Sequence, residues 1–145
     1  MPLADEQLRA ALQAIHARPT EPEAMAVIDV ARLAASIDKV SSVAETSLLL
    51  AVHRVVTGMA GLDEMSLSSA TIDENRLLSI SDSLVPMAAR ELAYACGYLV
   101  MLGDQKITHE EGRLATMLGD VLVLEPGRTT ALAKQMDELA KAAAR

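Results

Sequence analysis

The sequence predicts an all-α fold: a single compact domain of about seven helices. Apolar residues recur at the three- and four-residue spacing of helices in each patterned segment, and no segment alternates as a half-buried strand does. Alanine and leucine dominate, and the chain has two Tyr but no Phe or Trp. Aliphatic side chains on helices must therefore supply the core. A chain of 145 residues is long enough for one domain with a hydrophobic core.

Local start and stop signals define the first three helices. The first is predicted over residues 4–17 and ends before Pro19, because the residue preceding a proline is pushed out of the α region. The second begins near Pro22, a residue type favoured in the first helical turn. The third opens at the capping box of residues 42–45 and closes at glycines near residue 60. Its apolar residues cover more than one face, which predicts a central helix.

Similar signals define the last four helices. A capping box at residues 71–74 opens a short fourth helix, and the fifth runs from residues 83–86 to Leu102, before Gly103. The sixth opens at the capping box of residues 108–111 and ends near Gly119, although residues 121–124 could extend its buried surface, and the seventh begins at Pro126. The side chains predicted to face the core are Leu92, Ala95, Leu99, Leu102, Leu114, Met117, Leu118, Leu132, Met136 and Leu139.

Composition excludes several functional classes. The net charge of −7 argues against nucleic acid as a partner, since nucleic-acid binding needs a basic surface. The single cysteine, Cys96, excludes an intramolecular disulfide, and its alanine-rich surroundings predict a buried, unreactive thiol. The N-terminus lacks the features of a signal peptide, and no segment of about 20 residues is free of charge. We therefore expect a cytoplasmic protein without a transmembrane segment.

A short acidic pattern, Asp-x-x-x-[Ser/Thr]-x-x-Glu, occurs twice. The first copy runs from Asp38 to Glu45 and the second from Asp104 to Glu111, 66 positions later and without a gap. An apolar helical stretch precedes and follows each copy. The chain therefore resembles a degenerate duplication of a helix–acidic turn–helix unit, with repeat units at about 24–60 and 91–124. A pseudo-two-fold relation would bring the two turns to one cation or one partner.

Two interpretations of the four acidic residues remain open. Glu45 and Glu111 occupy the glutamate position of capping boxes, where they satisfy a backbone N–H. Asp38 and Asp104 lie at helix ends, where a carboxylate opposes the helix dipole. Together, Asp38, Glu45, Asp104 and Glu111 are candidate ligands of a divalent cation. Oxygen ligands favour calcium, magnesium or manganese.

No other metal or catalytic pattern is present in the sequence. The histidines are not spaced as a ligand set, and no Glu-x-x-His pair of the di-iron bundles occurs. His109 could add a ligand to the acidic turn, but its position predicts an exposed side chain. His53 is expected in the core or in an interface. No nucleophile–base pair or cofactor signature is visible, so we expect no enzymatic activity.

The acidic turns resemble those of the tellurite-resistance TerB-like family, which carries an Asp-Gly-x-Ile-x-x-x-Glu type of turn after an alanine-rich helix. Residues 102–111 match this turn closely and residues 34–41 more loosely, with Lys39 and Gln105 in place of the glycine. The pattern of helices and turns covers residues 22–139. The resemblance implies an all-helical fold with internal pseudo-symmetry and central acidic residues. It also implies a non-enzymatic role in stress response, through metal binding and membrane-associated partners.

We therefore expect a cytoplasmic, TerB-like acidic adaptor or divalent-cation-responsive module with protein partners. The alternative is a small helical structural protein without a metal function, which assembles as a homo-dimer or larger homo-oligomer through exposed helix faces.

Overall fold

The computed structural model describes residues 5–36, 43–61, 77–104 and 109–144. These residues form seven α-helices and no strand, which confirms the all-α prediction. The helices are α1 (Asp5–Ile15), α2 (Glu21–Ser36), α3 (Val43–Met59), α4 (Leu77–Ser81), α5 (Met87–Met101), α6 (His109–Val121) and α7 (Pro126–Ala144). A turn of 3-10 helix, Leu102–Asp104, follows α5. The predicted capping box at residues 71–74 lies outside the described residues.

The centre of the fold is the packing of α2 on α5. Ten residues of each of these helices are buried. Gly97 of α5 allows this approach, since a Cβ atom there would lie 2.9 Å from Cγ1 of Val30 on α2. Helix α3, which the sequence predicted to be central, packs against both α2 and α5 and buries Val52 and Val56 completely, but its Leu48 and Leu49 are only half-buried.

Two pairs of helices, α1 with α3 and α5 with α7, run in the same direction. On α1 and α3, Asp5 pairs with Arg54, and one turn further Arg9 lies 3.6 Å from the position of a Cβ on Gly58. On α5 and α7, Arg128 binds Glu91 through two hydrogen bonds. Two turns further along both helices, burial and then the charge of Asp137 raise the pKa of Tyr98. The helices of each of these two pairs are therefore parallel.

Helices α1 and α4 make corresponding contacts with the helices around them. Helix α1 packs against α3 and α5, whereas α4 packs against α6 and α2. The 3-10 turn Leu102–Asp104 packs against α3 and α7. The second acidic turn therefore begins beside α3, the helix that follows the first acidic turn.

The predicted core of the last helices is confirmed, with one correction in α6. All ten side chains predicted to face the core are buried or pack against it, and the half-buried Met117 also lines a surface groove. Helix α6 does not end at Gly119 but continues to Val121. Gly119 instead faces Thr129 of α7, whose Cγ2 would lie 3.4 Å from a Cβ at that position.

Candidate functional site

The structure describes only one side chain of the predicted acidic centre. Asp38 lies outside the described residues. Glu45 and Asp104 belong to described helical segments, but their side chains are outside the described set. Glu111 remains, and it is 1% exposed in the first turn of α6. The convergence of the four carboxylates on one cation therefore stays a prediction.

The burial of Glu111 requires a compensating interaction. An ionised carboxylate is costly to remove from water unless hydrogen bonds or a cation offset the loss of hydration. The start of a helix provides part of this compensation through unpaired backbone N–H groups and the positive end of the helix dipole. The position of Glu111 thus suits both a capping residue and a ligand of a cation at the preceding turn.

Glu23 is a second buried glutamate, and its partners are resolved in full. The backbone N–H of Thr20 donates to Glu23 Oε1 at 3.0 Å, and the Glu23 N–H donates to Thr20 Oγ1 at 3.3 Å. This reciprocal pair is a capping box at the start of α2. The Nε2 atom of His16, just beyond the end of α1, forms a further hydrogen bond of 3.0 Å with the same Oε1. The cluster of His16, Thr20 and Glu23 therefore fixes the junction between the two helices.

The surroundings of Glu23 favour its ionised form. Burial raises the pKa of the Glu23 carboxyl, but the hydrogen bonds from His16 and Thr20 lower it by more, so the net pKa lies below the usual 4.5. Sequence analysis missed this cluster. The signal was present, since Thr20-Glu21-Pro22-Glu23 has the capping-box spacing, but Pro22 alone was used to locate the helix start.

Glu23 provides a comparison for Glu111 within the same chain. Each glutamate is the third residue of its helix and is almost completely buried. At Glu23, backbone and side-chain hydrogen bonds are sufficient to hold the buried carboxylate. Burial at this position is therefore compatible with capping alone, and only a cation-dependent measurement can distinguish the two roles of Glu111.

Two further buried polar atoms lie one turn apart on α3. Within the described part of the chain, His53 Nε2 and Thr57 Oγ1 are buried without a hydrogen-bond partner. The structure thus places His53 on the margin of the core, as the sequence predicted. Most buried polar atoms in proteins are paired with protein groups or with ordered water. A bridging water between these two atoms would satisfy that requirement.

The thiol of Cys96 is buried in α5, as predicted. Burial raises its pKa well above the usual range, which disfavours the reactive thiolate. Among the described residues, no three His, Cys, Asp or Glu side chains lie close enough together to hold a metal ion. Within the same ranges, no helix has the length and apolar composition needed to cross a membrane.

The described surface has two notable grooves. One, of about 580 Å³, runs along α6, and its described lining comes entirely from that helix: His109, Gly112, Arg113, Thr116, Met117 and Asp120. The other, of about 350 Å³, lies between the start of α2 and α4 and has two carboxylates, Glu21 and Asp29, on its rim. His109, predicted to be exposed, is exposed in the first of these grooves.

Comparison with known proteins gives no match, whether with family models, curated proteins or solved structures. The resemblance of the acidic turns to the TerB-like family therefore stays a prediction, which rests on the turns themselves.

Proposed function

We propose that this chain is a non-enzymatic, TerB-like acidic adaptor of the cytoplasm that responds to a divalent cation. The proposed cation ligands are Asp38, Glu45, Asp104 and Glu111. The cation would join the two acidic turns and so fix the relative positions of the helices that present the protein's acidic surface to a partner. The observation that carries this proposal is the burial of Glu111 at the start of α6.

The packing of the helices supports a common location for the two turns. In the proposed duplication, the unit of α2 and α3 corresponds to the unit of α5 and α6. Helix α1, which precedes the first unit, packs against α3 and α5, and α4, which precedes the second unit, packs against the corresponding α6 and α2. A pseudo-two-fold axis between α2 and α5 would interchange α1 with α4 and α3 with α6, and it would relate these two sets of contacts. The packing of the 3-10 turn against α3 also favours proximity of the turns.

The chemistry of the ligands selects the class of cation. Four carboxylates would form a hard oxygen environment, which favours calcium, magnesium or manganese over copper. The cation would neutralise charges that otherwise repel one another in a chain of net charge −7. Binding should therefore stabilise the native state and depend on pH, because protonated carboxylates do not bind cations.

Thermal unfolding with and without cation tests this proposal. A cation at 100 times its Kd raises the free energy of unfolding by about 2.7 kcal/mol, or roughly 10 °C in Tm for a domain of this size. We expect this shift in the wild type. The variant that combines Asp38→Asn, Glu45→Gln, Asp104→Asn and Glu111→Gln should keep its fold and lose the shift, because Gln also serves in a capping box.

A second four-fold variant provides the control for net charge. It combines Glu6→Gln, Glu21→Gln, Asp82→Asn and Glu125→Gln, which are all exposed in the structure. It removes the same number of negative charges and should retain the cation-dependent shift. If the wild type shows no shift at millimolar calcium, magnesium or manganese, the acidic turns are capping structures and the proposed cation response is wrong.

A further inference from the structure

We propose that one face of α6 is a self-association surface, through which two copies of this chain pack with their α6 helices antiparallel. The α6 face consists of His109, Gly112, Arg113, Thr116, Met117 and Asp120. This inference does not depend on the proposed cation site.

The α6 face is a continuous and accessible strip. Its residues recur at intervals of three and four, which places them on one side of a helix. Four of them are exposed, and Gly112 and Met117 are half-buried. The opposite side of α6 faces the core through Leu114 and Leu118. Packing within the described part of the chain therefore leaves this strip open along its length.

Charge divides the α6 face into two ends. His109 and Arg113 lie towards the N-terminus of the helix, and Asp120 lies towards its C-terminus. Within the described part of the chain, the side chains of Arg113 and Asp120 form no hydrogen bond and no ion pair. The two residues are separated by about 10 Å along the helix axis, at 1.5 Å per residue, so they do not pair with each other.

This charge pattern is complementary to itself in the antiparallel orientation. A two-fold axis between Thr116 and Met117 places Arg113 of each copy opposite Asp120 of the other, since both residues are equally distant from the axis. One contact type therefore occurs twice, as in an isologous dimer. A parallel arrangement would instead place Arg113 beside Arg113 and Asp120 beside Asp120, and like-charge contacts disfavour it.

Small side chains would permit a close approach of the two helices. A Cβ at Gly112 would meet no described atom within 4 Å, so packing within the described part of the chain does not require a glycine inside this helix. Glycine lowers helix stability relative to alanine, which is explained if a partner helix approaches there. Thr116 adds little bulk near the axis, and the flexible side chain of Met117 can fill the remaining space.

The size of the surface sets the expected affinity. A helix of 13 residues offers a strip of roughly 20 Å by 10 Å, well below the roughly 800 Å² per partner of a stable complex. We therefore expect a weak dimer, detectable at high micromolar to millimolar protein concentrations. Because exposed charges select its orientation, increasing the ionic strength should weaken it.

Sedimentation equilibrium with charge-reversal variants tests the proposal. Arg113→Asp and Asp120→Arg should each weaken self-association at least tenfold, because each creates two like-charge contacts per dimer. An equimolar mixture of the two variants should restore association as a hetero-dimer, since every contact across the axis is again between opposite charges. Lys134→Asp, at an exposed position of α7, serves as a control for Arg113→Asp and should leave the affinity unchanged.

Three results would overturn the proposal. The first is a wild-type protein that is monomeric up to millimolar concentration. The second is a dimer whose affinity neither single variant changes. The third is a mixture of Arg113→Asp and Asp120→Arg that associates no better than either variant alone. Circular dichroism of each variant verifies that the substitutions leave the helical fold intact.

Discussion

Among the described side chains, two buried glutamates occupy the third position of a helix, Glu23 in α2 and Glu111 in α6. At Glu23 the burial is explained by the reciprocal bonds with Thr20 and by the bond with His16. The spacing of Thr20 and Glu23 makes this capping box predictable from the sequence, but the contribution of His16 depends on where the chain turns between two helices. Short-range spacing therefore predicts the cap and not the full cluster.

Stability should depend on pH through Glu23. The pKa of Glu23 in the folded protein lies below the usual 4.5. The contribution of its carboxylate to the free energy of unfolding is therefore fully present above about pH 4.5, and it is lost as the pH falls through the lower pKa of the folded state. The wild type should therefore lose stability in acid more steeply than Glu23→Gln, which keeps the cap but does not titrate. Urea unfolding of both proteins between pH 3 and pH 7 measures this difference. If the free energies of unfolding of the two proteins change with pH in parallel, the lowered pKa of Glu23 is wrong.

A strained residue follows α6. Val123 has φ of 56°, a left-handed conformation that is unfavourable for a β-branched side chain. Its N–H bonds the carbonyl of Asp120, and the N–H of Leu124 bonds that of Gly119, which together form a Schellman cap. Glycine usually occupies this position, so the sequence around Val123 gave no signal for the end of the helix.

Val123→Gly should raise the free energy of unfolding by about 1 kcal/mol. The substitution removes a left-handed strain of about 1–2 kcal/mol, which exceeds the entropic cost of glycine of about 0.5–1 kcal/mol. Val85→Gly is the control, because Val85 is also exposed but has no positive φ. It should destabilise slightly. Chemical denaturation of the two variants checks the opposite signs, and a loss of stability in both would refute the strain at Val123.

At the scale of the elements, the sequence predicts helices best where their ends depend on nearby residues. The seventh helix begins at the predicted Pro126, and the first ends before Pro19, because proline acts on its immediate neighbours. Glycine was a less reliable signal. Gly119 lies inside α6 and faces Thr129 of another helix, and that contact cannot be inferred from local sequence.

Substitution by alanine should change the free energy of unfolding in opposite directions at two glycines that lie inside helices. A Cβ on Gly97 would lie 2.9 Å from Val30 Cγ1 and 3.4 Å from Leu118 Cδ1, so Gly97→Ala overpacks the contact between α2 and α5. Overpacking costs about 1–3 kcal/mol, which outweighs the gain in helix propensity of about 1 kcal/mol.

Gly112→Ala is the matched control, because a Cβ there meets no described atom within 4 Å. It should stabilise the protein by up to about 1 kcal/mol. Urea denaturation at low protein concentration, where self-association is negligible, measures both effects. If Gly112→Ala destabilises the protein as much as Gly97→Ala does, the close contact of Gly97 with Val30 is not the cause of the destabilisation by Gly97→Ala.

At the scale of the whole molecule, composition and periodicity predict the fold class but not the centre of the fold. The apolar residues of α3 suggested a central helix, whereas α2 and α5 occupy that place. Alanine and glycine permit their close contact, and small residues give a weak signal in a hydrophobicity pattern. Whether Asp38 and Asp104 converge likewise depends on the tertiary arrangement. Sequence spacing indicates that they correspond but does not give the distance between them.

If the two acidic turns share one cation, the protein should bind a single manganese ion, and the bound manganese can be counted. Electron paramagnetic resonance measures free Mn²⁺ during a titration of the protein. We predict one bound Mn²⁺ per chain, displaced by excess calcium or magnesium. The variant with Asp38→Asn, Glu45→Gln, Asp104→Asn and Glu111→Gln should bind none, while the four-fold variant at exposed carboxylates still binds one. No binding to the wild type at millimolar Mn²⁺, or equal binding to the acidic-turn variant, would contradict a cation shared by the two turns.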